Sequence, residues 1–333
     1  MGRFRGNAVA ALWIIVAAVA YFVAAEVGLR MALVGEQVTP LWPPTGVALA
    51  CLFLLGLRAC LGITLGALAV NALIGPNLPA VLIIAAGDTV APVVAYLLLK
   101  WVRFRTDFDT VRDALELVFL GALAAMLISA TVGAVTLVVA GVAPNFWGTW
   151  SVWWTGDAMG VLLIAPLILV AARARIPKVL PPLRVLEAVV LGIGTFLVAV
   201  VATAVSANLL FLVFPFLIWA AMRFHLAGAI PCALIASIVA IFAVDRDLPA
   251  FAGLDLTRQM ITLQAFNGSV ALTALLFATI TAQRDRARKA VDDTCAELAE
   301  TVITISRGWP LSGVVDMVRR VESEHPPSDT APG

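Results

Sequence analysis

Apolar residues run through this chain in stretches of roughly twenty, the length that crosses a hydrocarbon core of about 30 Å as a helix. Read against the polar breaks, they predict ten helices near 8–30, 42–57, 60–75, 79–100, 113–140, 150–172, 185–206, 209–222, 226–244 and 258–282. The second, third and eighth are short for a full crossing. Eight spans is therefore the alternative, with the short segments tilted, half-buried or re-entrant. The first run follows Arg3 and Arg5, as a signal peptide would. It continues to Leu29 without a small-residue cleavage site, so it is read as a retained first helix.

Composition agrees with a membrane protein. The chain is 62% hydrophobic and 13% charged, with a mean hydropathy of +1.02, whereas a soluble domain is about half apolar and a quarter charged. A net charge of +1 gives no basic footprint for nucleic acid. The placement of the charges is more informative than their sum. With the N-terminus inside, Arg3/Arg5, Arg58, Lys100/Arg103/Arg105/Arg112, Arg173/Arg175/Lys178/Arg184, Arg223 and the residues from Arg284 onward fall on the cytoplasmic side. Arg30, Arg246 and Arg258 fall opposite. Such asymmetry follows the positive-inside rule and favours ten spans with both ends cytoplasmic. Cys51, Cys60, Cys232 and Cys295 have no CxxC spacing and read as small apolar residues, with no metal or cofactor implied.

In this threading the even-numbered helices run from outside to inside, and each carries an unusual motif. The second opens Trp42-Pro43-Pro44-Thr45-Gly46, the fourth holds Gly87-Asp88-Thr89 and Pro92, and the sixth holds Trp153-Trp154-Thr155-Gly156-Asp157 with Gly160 and Pro166 beyond. The eighth has Phe214-Pro215-Phe216. Asp88 lies about 14 Å into its helix at 1.5 Å per residue, where an ionised acid is costly and ordinarily functional. Asp157 reads as shallower, close enough to the outer interface to snorkel. Asn71, Asn208, Gln264 and Asn267 are able to hydrogen-bond between helices. Pro43 and Pro44 suit a first turn, whereas Pro92, Pro166 and Pro215 are expected to kink helices and open space between them. Tryptophans 147, 150, 153 and 154 read either as an interfacial belt or as the rim of an outward cavity. The candidate ligand-binding set is Asp88, Asp157, Trp42, Trp153, Trp154 and Asn71; no residue reads as catalytic.

In order and spacing these motifs, with Gly56 through Gly62 and Gly66, Arg223-Phe224, and Gln283-Arg284-Asp285-Arg286-Ala287, resemble MASE1, a bacterial integral-membrane sensor domain. The resemblance covers roughly 8–290. It implies an all-α polytopic bundle in the bacterial inner membrane that detects a small-molecule signal and passes it to a cytoplasmic output such as a kinase or cyclase. The chain divides accordingly into a membrane sensor domain over 8–283, a cytoplasmic linker helix over 284–309, and a short amphipathic segment with a disordered tail over 310–333. After Thr281 there is no Gly-Gly-Asp-Glu-Phe or Glu-Ala-Leu signature, and His325 stands in a Pro-rich setting unsuited to a phosphoacceptor helix. The expectation is therefore a non-enzymatic sensor, without cofactor, acting on a separate kinase or cyclase partner or through a homodimer. A small-molecule transporter is the competing reading, because midplane acids also mark substrate paths. A truncated remnant of a sensor kinase or diguanylate cyclase is the third.

Overall fold

The structure, a computed structural model, describes residues 2–31, 39–174, 181–205 and 209–308. Asn208, Arg175, Lys178, His325 and the whole of 310–333 lie outside the described residues. In chain order the elements are α1 (Gly2–Leu29), α2 (Pro43–Leu55), α3 (Ala59–Ile74), α4 (Leu78–Trp101), α5 (Val111–Glu116), α6 (Leu127–Val139), α7 (Phe146–Met159), α8 (Ala165–Arg173), α9 (Pro182–Ala204), α10 (Phe214–Phe224), α11 (Leu226–Asp245) and α12 (Leu256–Gly308). Wider π-helical stretches join α5 to α6 (Leu117–Ala124) and α7 to α8 (Gly160–Ile164).

Local chemistry explains the helix starts. Asn77 accepts from the Ala80 amide, Asn145 accepts from the Gly148 amide, and Thr110 and Asp113 form a reciprocal capping box. These side chains satisfy first-turn amides that have no helical partner. Pro43 and Pro44 occupy the first turn of α2, where a missing N–H costs nothing. Pro215 also stands in a first turn, that of α10, and not inside a span as the sequence suggested. The preceding residues Leu209–Val213 coil as a tighter 3₁₀ turn, so α10 begins only at Phe214. Pro166 follows the π-helical stretch directly at the start of α8, whereas Pro92 lies within an uninterrupted α4.

Among the described residues, eight helical stretches are long and apolar enough to cross a membrane: 10–29, 43–74, 78–101, 111–139, 146–173, 182–204, 226–245 and 257–303, and 209–224 is a shorter apolar one. The stretch 43–74 is α2 and α3 joined by the 3₁₀ turn Gly56–Arg58. Contacts give their directions. Gly28 of α1 sits against Trp42 and Pro43, while Gly62 meets Ile14 and Ala17 and Gly66 meets Ala18 and Tyr21. Hence α3 runs parallel to α1, and α2 runs back against both. The same logic sets α7 parallel to α2, since Gly156 faces Thr39 and Gly160 faces Trp42.

The interior is rich in alanine, with Ala17, Ala48, Ala67, Ala91, Ala122, Ala165, Ala233 and Ala274 all fully buried. Small residues let helix backbones approach closely, which is how helices associate when lipid offers no hydrophobic drive. The outward faces are the reverse of a soluble surface. Leu61, Leu65, Leu73, Leu82, Ile193 and Leu197 are all exposed, as lipid-facing side chains would be. The Met1–Ala282 part of the chain forms one compact unit by its internal contacts. From Gln283 onward the described side chains, through Ile303, are exposed on every face of the helix.

Candidate functional site

Asp157 is the centre of a buried polar cluster. It lies in α7, and the helix begins at Phe146, four residues earlier than the hydrophobic pattern suggested. Asp157 lies about 16 Å along the axis from Phe146, and its side chain turns into the bundle, so the snorkelling conformation expected for it is not what the fold builds. The residue is 1% exposed. Thr45 of α2 donates its hydroxyl to Oδ1 at 2.6 Å, and Ser129 of α6 donates to Oδ2. The Trp153 indole is in polar contact with the same carboxylate.

Asp88 is similarly placed on α4, about 15 Å along the axis from Leu78 at 1.5 Å per residue. It is 7% exposed, and the Asn71 amide of α3 donates to Oδ2 at 3.1 Å. The same amide nitrogen donates to the Ala67 carbonyl at 2.9 Å, which fixes its orientation. The two carboxylates act on each other electrostatically. Both also act on Tyr21 of α1, whose phenol is buried and in polar contact with Trp42. Side chains from α1, α2, α3, α4, α6 and α7 thus meet in one neighbourhood. Among the described residues neither carboxylate forms an ion pair; the ion pairs present, such as Arg173 with Asp107 and Arg223 with Glu187, are solvent-exposed. Hydroxyl, amide and indole donors, and not a counter-ion, satisfy the two carboxyl groups.

Close backbone contact holds the cluster together. A Cβ on Gly46 would lie 2.2 Å from the Gly160 carbonyl oxygen, and one on Gly160 would lie 2.0 Å from that of Trp42. Only glycine permits α2 and α7 to cross at this distance. The segment Thr39–Trp42 serves as a strap across the crossing. The Trp42 amide donates to the Gly156 carbonyl at 3.0 Å, and Gln264 of α12 donates to the Pro40 carbonyl at 3.2 Å. The residue next to Asp157 is therefore linked to α12 through three chain positions, Trp42, Leu41 and Pro40.

The six residues named from sequence do not all converge. Asp88 with Asn71 and Asp157 with Trp153 form the cluster, and Trp42 borders it through Tyr21. Trp154 turns away: its indole N–H donates to the Leu123 carbonyl at 2.8 Å, and its ring stacks on Trp150 at 5.4 Å. That carbonyl lies in the π-helical stretch before α6, where the wider winding frees backbone acceptors. Trp147, by contrast, is 73% exposed and fits an interfacial belt. Sequence reasoning missed Tyr21, Ser129 and the role of Thr45. Thr45 lay within the Trp-Pro-Pro-Thr-Gly motif, but no local signal pairs it with an acid 112 positions away. Nothing in the sequence marks Ser129 or Tyr21.

Chemically, the site offers two carboxylates, three hydroxyls and an amide in a low-dielectric interior flanked by indoles. It lacks an activated nucleophile, and among the described residues no group of His, Cys, Asp and Glu could hold a metal ion. The MASE1 family model matches residues 13–285, nearly the whole chain. No curated protein and no solved structure matches it. With that match and eight membrane-length apolar helices, the chain belongs to the MASE1 family and is a multi-pass membrane protein of the sensor-domain type.

Proposed function

We propose that this protein is a receptor of the bacterial inner membrane, threaded ten times with both ends in the cytoplasm. In this reading the cluster around Asp88 and Asp157 receives a small-molecule signal, and α12 carries the change of state to a cytoplasmic kinase or cyclase partner. The observation that carries it is the strap: the Gln264 side chain donates to the Pro40 carbonyl and the Trp42 amide to that of Gly156, so a shift at Asp157 has a hydrogen-bonded route to α12. A ligand changes the state only if it prefers one arrangement of that crossing. Carboxylates beside indole and phenol rings favour a ligand that donates hydrogen bonds or carries positive charge.

Native mass spectrometry of the protein released from its own membranes tests the site. The wild type should carry a non-lipid small molecule that both Asp88→Asn and Asp157→Asn lose. An identical inventory in all three proteins would count against the site. Accumulation of that molecule inside proteoliposomes would replace the receptor reading with transport.

A further inference from the structure

Beyond the sensor bundle, α12 carries a second pattern. Val291, Cys295, Leu298 and Val302 recur at steps of four, three and four, and Ile305 continues the series in the sequence. These are the d, a, d, a and d positions of a heptad, the seam of a left-handed coiled coil. Val291, Leu298 and Val302 are 61%, 59% and 63% exposed. Most helical stability in proteins comes from packing an apolar face, so a helix exposed all round calls for a partner along this stripe.

We propose that the occupant is the same segment of a second copy, forming a parallel, in-register homodimer from Val291 onward. Three observations select a self-pair. First, each copy is held in one bilayer with the same orientation and leaves it at the same residue, so two such helices meet parallel and at equal height. Second, the flanking positions are compatible with themselves. In a parallel pair Thr294 of one helix faces Ala299 of the other and Asp292 faces Ala287, so no like charges oppose each other beside the seam. Third, Val302 at an a position with Leu298 at d is a combination that favours two strands. Arg284 and Arg288 hold the d and a positions before Val291. Their charges belong at the headgroups, which sets the start of the seam one turn further on.

The pairing places Cys295 at an a position, facing its counterpart, and the thiol is exposed in the single chain. The test uses the full chain in native membranes with copper(II)-phenanthroline. The reagent takes two electrons from the two thiols and the solvent takes their protons as the S–S bond forms. A dimer band on a non-reducing gel is expected for the wild type and is lost in Cys295→Ser. In that background, Leu298→Cys and Val302→Cys should restore the band, several-fold more strongly than Glu297→Cys and Glu300→Cys on the outer face. Equal cross-linking at all four positions, no dimer at any seam position, or a product with the mass of a different protein would each overturn the self-pair. The inference is independent of the signal site: loss of the bound small molecule in Asp157→Asn leaves the cross-link in place, and a failed cross-link leaves the ligand result standing.

Discussion

Replacing Gly160 by alanine tests whether α2 and α7 cross as closely as the site requires. The new Cβ falls 2.0 Å from the Trp42 carbonyl oxygen and 3.0 Å from its carbon, where ordinary contact begins at 3.4 Å. Both atoms are backbone, so no side-chain rotation relieves the clash and the helices must part by more than an ångström. Overpacking costs about 1–3 kcal/mol, and a backbone clash sits at the top of that range. Parting also stretches Trp42 N–H to Gly156 and Thr45 to Asp157, now 3.0 and 2.6 Å. Interhelical bonds of this kind contribute about 0.6 kcal/mol each in a membrane protein. The better helix propensity of alanine returns up to about 1 kcal/mol. The net loss is about 3 kcal/mol.

Gly192→Ala is the control, because nothing lies within 4 Å of a Cβ there. It should be neutral or stabilising by up to about 1 kcal/mol. The assay is equilibrium unfolding in mixed micelles titrated with SDS, followed by fluorescence of the nine tryptophans. Unfolding of the two variants at the same SDS fraction would refute the close crossing, and with it the geometry of the Asp157 site.

Thr45→Val and Asp157→Asn combined in a double-mutant cycle should give a coupling of about 0.6–1.7 kcal/mol in the same unfolding assay. A coupling near zero would remove the hydroxyl–carboxylate bond from the account. Trp154→Phe leaves the Leu123 carbonyl without its donor and should cost about 0.5–1.5 kcal/mol, while leaving the small-molecule content of the native mass spectrum unchanged. By contrast Glu187→Gln should alter stability by less than about 1 kcal/mol, since its partner Arg223 is 50% exposed and the pair is screened by water. A larger loss there would place the pair inside the packed structure.

The membrane class, the all-helical fold and the family were all legible in the sequence. They depend on local or one-dimensional quantities: the length of apolar runs, the placement of basic residues between them, and motifs in order along the chain. The buried acids were legible for a related reason. An aspartate within an apolar run is conspicuous whatever surrounds it, so Asp88 and Asp157 stood out before any contact was known. Their partners did not. Thr45 and Ser129 are ordinary residues, and only the packing of α2 and α6 against α7 turns their hydroxyls toward one carboxylate. The burial of Asp157, the diversion of Trp154 to a carbonyl freed by a π-helical turn, and the strap from Gly156 to Gln264 are likewise products of tertiary structure. Each depends on how closely two backbones approach, and that distance is set by glycines on different helices meeting in space. Neither sequence alone contains that coincidence: Gly46 and Gly160 are unremarkable apart, and together they decide where the site is.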